Sequence, residues 1–357
     1  MLVEKRQGLV LVTGGAGFIG CNLVAHYLQR GWRVRLFDNL SRAGTEDNLR
    51  WLRSLDCSRL ETVVADVRDF GELRRAVGDA DVVFHLASQV GVTSSISDPR
   101  HDFEVNTLGT FNLLEAVRES SRRPVVVFAS TNKVYGSMEG IEVDLDDGGY
   151  RYRSLQMGIS EEWPLDFHSP YGCSKGAADQ YVRDYARVYG VPTVVFRQSC
   201  IYGPHQLGTE EQGWVTHFIA SAIIGSPLTI FGDGFQVRDV LHVDDLVAAY
   251  DLAVGRIDVA AGKVYNIGGG PQNAISLRWL VSFLERYLGL QMRLEYDVWR
   301  PGDQRVYVSD VRRAAEDLGW VPTVPVQRGI EWQVKWVESN RELFSRIEDR
   351  ERVSIGW

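Results

Sequence analysis

The chain has 357 residues, of which 45% are apolar and 24% charged, as in a globular protein with a substantial core. This composition excludes a disordered, collagen-like or coiled-coil chain, and no apolar run approaches the roughly 18 residues of a membrane helix. The net charge of −8 argues against nucleic acid or an anionic membrane as the main partner. The four cysteines and seven histidines are scattered, so neither a disulfide framework nor a metal site is expected. We expect a cytoplasmic protein.

Short β-branched runs alternate with helix-length amphipathic segments through the first half of the chain. Helices are predicted at Phe18–Arg30, Phe103–Ser120 and Ser174–Tyr189. Strands are predicted at Leu9–Thr13, Arg33–Phe37, Glu61–Ala65, Asp81–Leu86, Val125–Ala129 and Thr193–Arg197. Because these strands are apolar almost throughout, they fit a parallel sheet covered by helices on both faces. The pattern predicts a doubly wound α/β fold, in which ligands bind at the carboxyl ends of the strands.

The pattern changes after residue 198, where glycine and proline become more frequent. A further predicted strand, Lys263–Ile267, is placed to return to the sheet. We therefore predict a first, cofactor-binding domain over residues 1–198, with the chain returning to it near residues 236–267. Residues 199–357 are predicted to form mainly a smaller, interleaved substrate-binding lobe.

A glycine-rich loop follows the first strand and leads directly into a helix. Gly14, Gly17 and Gly20 fit the spacing G-x-x-G-x-x-G. Glycine allows a tight turn, close approach of a pyrophosphate to the backbone, and close packing of helix and strand. The second strand ends at Asp38, where a carboxylate binds adenosine ribose hydroxyls and repels the 2′-phosphate of NADP. The loop predicts a dinucleotide site that favours NAD, although the neighbouring Arg42 leaves NADP open.

A tyrosine and a lysine four residues apart, Tyr171 and Lys175, share one face of a predicted helix. An ammonium beside a phenol favours the phenolate, so we expect a lowered tyrosine pKa. Such a tyrosine can take a proton from a sugar hydroxyl while hydride leaves the same carbon for NAD. Thr131, at the end of a predicted strand, can hydrogen-bond the reacting oxygen.

These residues together resemble the extended short-chain dehydrogenases/reductases that act on nucleotide sugars, whose core is a Rossmann fold. The resemblance covers essentially the whole chain and includes the segments Asn266-Ile267-Gly268, Phe231-Gly232-Asp233-Gly234 and Arg300-Pro301-Gly302-Asp303. It implies an NAD-dependent enzyme that acts on a nucleotide-diphosphate sugar, with Thr131, Tyr171 and Lys175 as catalytic residues. It also implies a homodimer or homotetramer assembled through paired helices.

The resemblance also implies two sets of binding residues. The substrate set is Thr131, Ser199, Arg238, Arg300 and Asp303, in which the two arginines would hold the diphosphate. The cofactor set, besides Tyr171 and Lys175, is Gly14, Gly17, Phe18, Ile19, Gly20, Asp38, Asn39, Ser41, Arg42, Asp66, Val67, Leu86, Ala87, Gln89 and Asn106. Many relatives also carry an asparagine before the Tyr202-Gly203-Pro204 turn, and this chain does not.

The residues after Thr131 separate the reactions of this family. The 4,6-dehydratases place an Asp-Glu pair there, whereas this chain has Asn132 and Lys133, so dehydration is disfavoured. Redox-neutral epimerisation remains, and the stretch from Phe167 to Tyr181 is similar to the branch that inverts C-2 of a CDP-hexose. A UDP-hexose 4-epimerase is the alternative enzyme. A non-catalytic NAD-sensing protein is a third possibility, but Tyr171 and Lys175 are both retained.

Overall fold

The computed structural model describes residues 8–300 and 303–346. Its strands are β1 (Leu9–Thr13), β2 (Arg33–Asp38), β3 (Leu60–Val64), β4 (Val82–His85), β5 (Val125–Thr131), β6 (Val143–Asp146), β7 (Gly149–Tyr152), β8 (Thr193–Gln198), β9 (Cys200–Tyr202), β10 (Leu228–Phe231), β11 (Val237–His242), β12 (Val264–Ile267), β13 (Ala274–Ser276), β14 (Leu294–Asp297) and β15 (Val306–Tyr307). Its α-helices are α1 (Phe18–Gln29), α2 (Thr45–Leu55), α3 (Phe70–Val77), α4 (Val92–Ser97), α5 (Pro99–Phe103), α6 (Gly109–Glu119), α7 (Ser169–Tyr189), α8 (Trp214–Ile224), α9 (Val243–Gly255), α10 (Ile257–Ala260), α11 (Leu277–Leu288), α12 (Arg312–Leu318) and α13 (Val326–Ser339).

A seven-stranded parallel sheet forms the larger part of the molecule, in the order β3-β2-β1-β4-β5-β8-β12. Successive side chains of β1 point to opposite faces, so Val10 and Val12 pack with α1 and α9, and Leu11 packs with α3, α6 and α7. The predicted doubly wound α/β class is therefore confirmed. The last strand, β12, lies beside β8 and brings the chain back to the sheet after residue 198.

The predicted helix Phe103–Ser120 is not a single α-helix. Helix α5 runs into a π-helical turn, Glu104–Leu108, and α6 begins only after it. Such turns widen the helix locally and are frequent at functional sites. Helix α7 begins at Ser169, five residues before the predicted start, so Tyr171 belongs to its first turn.

The second half of the chain forms a smaller lobe around its own apolar core. Strand β11 pairs with β13, β15 and β9, while β10 pairs with β14. Helices α8, α11 and α13 pack on these strands. The exact domain boundary at residue 198 stays a prediction. Within residues 8–300 and 303–346, no helix is both long and apolar enough to cross a bilayer, and no cluster of three or more metal-ligating side chains occurs.

A buried ion pair fixes helix α7 on the sheet. Both carboxylate oxygens of Asp179 accept hydrogen bonds of 3.0 Å from the guanidinium of Arg197 on β8. Ser130 on β5 donates to the same carboxylate at 2.8 Å. Asp179 has no exposed surface and Arg197 is 2% exposed. Because each charge is satisfied by the other, the pair ties α7, β5 and β8 together.

Replacing Asp179 with asparagine should lower the free energy of unfolding by about 3–5 kcal/mol, because Arg197 is left as a buried charge without its anion. Denaturant unfolding followed by circular dichroism measures this loss. The matched control is Asp184→Asn, which removes an exposed carboxylate from the same helix and should change stability by less than about 0.5 kcal/mol. A loss for Asp179→Asn as small as that of the control would contradict the structural role.

Candidate active site

The glycine loop after β1 is closed to larger side chains. Gly14 has φ +69°, and a Cβ there would lie 2.7 Å from the backbone nitrogen of Ala87. A Cβ on Gly20 would overlap the carbonyl oxygen of Gly14. Gly17 donates a backbone hydrogen bond of 3.1 Å to that same oxygen. The loop therefore brings bare backbone to the start of α1, where an anion is favoured by the helix dipole and the free N–H groups.

Carboxylates follow the next two strands of the sheet. Asp38 ends β2 and accepts hydrogen bonds from the backbone N–H groups of Ala16 at 3.0 Å and Leu40 at 2.8 Å. Burial raises the pKa of Asp38, and these hydrogen bonds oppose the rise. Asp66 follows β3, and its hydrogen bonds from Arg68 are the largest cause that lowers its pKa to about 2. Asp66 is therefore ionised at neutral pH, and Asp38 buttresses the glycine loop.

The remaining residues predicted to bind the adenosine half surround these carboxylates. Asn39 donates to Asp66 at 3.0 Å and accepts from the Ser41 hydroxyl at 2.7 Å. The positive charge of Arg42 favours the ionised forms of both Asp38 and Tyr171. Arg42 is therefore near both the adenosine side and the tyrosine side of the site. Four further predicted residues line or support the edge of the sheet as partly or fully buried apolar side chains: Phe18, Ile19, Val67 and Leu86.

Asn106 lies in the π-helical turn and fixes the loop after β4. Its side-chain oxygen accepts from the backbone N–H of Gln89 at 2.9 Å, and its amide donates to the Gln89 carbonyl at 3.0 Å. It also donates to Ser174 on α7 at 3.0 Å. The side-chain oxygen of Gln89 is buried and has no hydrogen-bond partner among the described residues. The π-helical turn thus places the Asn106 amide against the loop and fixes the loop backbone at Gln89.

The predicted catalytic residues come together at the carboxyl end of β5. Thr131 ends the strand, and its hydroxyl opposes the rise in the pKa of the nearby Tyr171 phenol. Lys175, one helical turn after Tyr171, donates to the carbonyl of Ala129 at 2.6 Å. Its ammonium also lies 4.3 Å from the centre of the Phe128 ring. All three side chains are buried, with exposures of 8% for Thr131, 8% for Tyr171 and 3% for Lys175.

Burial dominates the ionisation of this group. It raises the pKa of Tyr171 to about 12, against the opposing effects of Thr131 and Arg42. It lowers the pKa of Lys175 to about 7, against the opposing charges of Asp179 and Asp102. The expectation that Lys175 lowers the tyrosine pKa is therefore wrong for the protein's own residues, because desolvation outweighs the charge.

The first half of the site fits a dinucleotide. The glycine loop leaves room for a pyrophosphate, and Asp38 and Asp66 stand at the ends of adjacent strands. The unpartnered oxygen of Gln89 and the Thr131–Tyr171 pair lie further along the same sheet edge, after β4 and β5. Residues at the carboxyl ends of five parallel strands thus lie along one edge of the sheet, the place where doubly wound folds bind their ligands.

The residues predicted to bind the substrate include several basic side chains. Arg238 on β11 is 7% exposed and donates to Asp303 at 2.7 Å. Lys133, two residues after Thr131, lies 3.7 Å from the same carboxylate. Burial opposes ionisation of Asp303, yet Arg238 and Lys133 together hold its pKa below the usual value. The segment 301–302 lies outside the described residues, so only Arg300 and Asp303 of that predicted motif are placed.

One turn of the smaller lobe carries two glutamates. One of them contacts a residue of the same lobe, and the other contacts the sheet domain. Thr209 and Gln212 exchange backbone hydrogen bonds around Glu210 and Glu211. Glu210 accepts from Arg300 at 2.9 Å, and the Arg300 guanidinium lies 3.8 Å from the centre of the Phe231 ring. Glu211 accepts from Ser94 of the sheet domain at 2.5 Å. This turn, which we call the acidic turn (Thr209–Gln212), was not found from the sequence because its contacts are all distant along the chain.

The hydroxyl of Ser199 is bonded within the protein, and its predicted contact with the substrate stays a prediction. The hydroxyl donates to the carboxylate and to the carbonyl of Asp239, which has no exposed surface. The next residue, Cys200, is the one subject to the charges of Arg238 and Lys133. Because neighbouring residues of an extended segment point to opposite sides, a shift of one residue exchanges these roles.

Comparisons with known proteins agree with this site. A model of the NAD dependent epimerase/dehydratase family matches residues 10–268. The chain is 43% identical to the CDP-paratose 2-epimerase of Salmonella typhi, over 92% of this chain and 99% of that protein.

Two solved structures are also similar. One is a UDP-glucose 4-epimerase from Thermotoga maritima solved with UDP-glucose, with a TM-score of 0.81 and 31% identity over 93% of this chain and 99% of that chain. The other is a dTDP-glucose 4,6-dehydratase from Streptomyces venezuelae solved with NAD, with a TM-score of 0.80 and 31% identity over 94% and 98% of the two chains.

The fold and these comparisons thus define an enzyme that uses a nicotinamide dinucleotide. The chain belongs to the NAD-dependent epimerase/dehydratase family, and NAD is its cofactor.

Proposed function

We propose that this chain inverts the configuration at C-2 of a CDP-hexose and interconverts CDP-paratose and CDP-tyvelose. The observation that carries the proposal is the similarity along its whole length to a CDP-paratose 2-epimerase, at 43% identity against 31% for the UDP-glucose 4-epimerase. A net reaction without oxidation or reduction also suits a site whose cofactor is retained and regenerated in each turnover.

The catalytic residues have the roles that their positions allow. Bound NAD would supply a hydride acceptor and donor for a carbinol carbon of the sugar. Tyr171 takes the proton of the reacting hydroxyl and later gives it back. Thr131, at the end of β5 near Tyr171, would hydrogen-bond the reacting oxygen and hold it beside that phenol. Lys175, one helical turn further along α7, opposes the effect of burial on the phenol when it is protonated, without reversing that effect.

Dehydration lacks the groups that it needs. Elimination of water requires an additional acid and base, but Asn132 and Lys133 follow Thr131. Asp303 is the carboxylate beside Lys133, and it is already paired with Arg238. A carboxylate held by two cations is a weak base, so epimerisation is favoured over elimination.

The diphosphate of the substrate would be held by the cationic part of the cleft. Arg238 and Arg300 present guanidinium groups, whose forked geometry suits phosphate oxygens. Arg300 is bound to Glu210 of the acidic turn, so a diphosphate would compete with this carboxylate. Glu210 would then release Arg300 when the nucleotide sugar enters.

Incubation of the purified chain with CDP-paratose, followed by NMR at the C-2 proton, tests the proposal. Conversion to CDP-tyvelose without added cofactor is the expected result. Tyr171→Phe should reduce turnover by about 100-fold or more, because the acid/base group is lost, while NAD remains bound. The Thr131, Tyr171 and Lys175 set also suits a UDP-hexose 4-epimerase. Inversion of a UDP-hexose at C-4 with no change in CDP-paratose would replace our proposal by that one.

We also propose that the chain acts in the cytoplasm as a homo-oligomer. Exposed aromatic side chains lie on α6 and α7, where Phe111 and Tyr181 are 38% and 44% exposed and their ring centres lie 5.9 Å apart. Exposed apolar surface of this kind marks an interface. Light scattering should give twice or four times the mass of one chain, and Phe111→Glu with Tyr181→Glu should give a single chain. A wild-type protein with the mass of one chain would contradict this proposal.

A further inference from the structure

The connection between β9 and α8, residues 203–213, forms neither helix nor strand and packs against the carboxyl edge of the sheet. Near its start it is anchored to α2. Asn48 is 6% exposed, and its amide donates at 3.0 Å to the carbonyl of Ala16 in the glycine loop and at 3.5 Å to that of His205. The His205 ring also stacks on Trp51 of α2, with ring centres 3.7 Å apart. This end of the connection is therefore tied to the glycine loop itself.

At its other end the connection reaches α4 through the acidic turn. The carboxylate of Glu211 accepts from Ser94 at 2.5 Å, and a Cβ placed on Gly91 would lie 2.8 Å from the same oxygen. Glu210 accepts twice from Arg300, at its carboxylate at 2.9 Å and at its backbone carbonyl at 3.1 Å. The acidic turn is thus held by the loop after β4 on one side and by the smaller lobe on the other.

The order of the strands places this connection across the glycine loop. Helix α2 follows β2, α4 follows β4, and β1 lies between these two strands in the sheet. A segment anchored on both α2 and α4 therefore passes the carboxyl end of β1, where the glycine loop offers its backbone to a pyrophosphate. We call residues 203–213 the strap.

The two ends of the strap differ in how firmly they are held. Gln206 is 7% exposed, its amide donates to the carbonyl of Ile201 at 2.9 Å, and its oxygen accepts from Thr216 at 2.5 Å. Glu210 and Glu211 are exposed, so water competes for their contacts. Exposed contacts of this kind open at low cost. The first end is therefore a fixed anchor, and the acidic turn is the end that opens.

We propose that the strap retains NAD in the cleft and that the acidic turn is a latch that must open before NAD leaves. The inference rests on NAD as the cofactor and does not depend on which nucleotide sugar the protein binds. Because the latch contacts join protein groups alone, they restrain the strap in the loaded and in the empty protein alike. The strap therefore slows both the uptake and the release of NAD, whereas a group that contacts NAD directly slows its release alone.

Exchange of bound NAD for deuterium-labelled NAD tests the latch. NAD-loaded protein is mixed with an excess of labelled NAD, and mass spectrometry of the bound fraction gives the release rate. Glu210→Ala combined with Glu211→Ala should release NAD about 10-fold faster than the wild type, because charge-assisted hydrogen bonds are lost at both contacts. Glu338→Ala combined with Glu342→Ala removes two exposed glutamates on and just after α13. This matched control should leave the rate unchanged.

The rate at which the empty protein takes up NAD separates a latch from a direct contact. Stopped-flow quenching of the protein's tryptophan fluorescence measures this rate. Uptake should be accelerated in the Glu210→Ala, Glu211→Ala variant by a factor similar to that of release. Faster release with unchanged uptake would overturn the proposal, since the glutamates would then act on bound NAD alone. An unchanged release rate would overturn it as well. Neither readout needs the epimerase reaction, so a failure of the proposed function leaves this test intact.

Discussion

The carboxylate of Asp179, which has no exposed surface, holds helix α7 on the sheet through the guanidinium of Arg197 and the hydroxyl of Ser130. Lys175 and Tyr171 lie four and eight residues before Asp179 on the same helix. This spacing places the three side chains on one face of α7. Fixing Asp179 therefore fixes where the phenol and the ammonium lie relative to the end of β5. The same guanidinium donates to Tyr135, which in turn donates to Asn266 on β12. The returning strand and the catalytic helix are thus held by one connected set of polar groups.

Burial of these side chains strengthens their electrostatic effect on a substrate, but it also disfavours their charged forms. A dry cleft strengthens every charge that faces the substrate, but it discharges an isolated lysine and protonates an isolated phenol. Lys175 has its carbonyl partner at Ala129 and the Phe128 ring, neither of which carries a countercharge. The charge of Asp179, one helical turn later on α7, opposes the loss of the Lys175 proton.

Much of this site could be predicted because its signals are local. The glycine spacing, the acid after β2 and the pair four residues apart on α7 each depend on a few neighbouring residues and on one strand or helix. The strand bounds agree within about two residues because β-branched runs bounded by turns are strong signals.

The remaining features depend on contacts between distant parts of the chain. No local pattern tells that the hydroxyl of Ser199 is used by Asp239, 40 residues later, and that Cys200 faces the basic residues instead. The contact between Glu210 and Arg300 spans 90 residues. The pKa of Tyr171 was misjudged for the same reason, because the burial that raises it comes from packing of the whole fold.

The central claim is that the hydrogen at C-2 leaves the sugar and returns to the same carbon without entering water. CDP-paratose carrying deuterium at C-2, incubated with the purified chain in ordinary water, tests it directly by mass spectrometry of the product. We predict CDP-tyvelose that retains the deuterium at C-2. A product that has exchanged its label for solvent hydrogen would contradict hydride transfer and indicate inversion by proton abstraction.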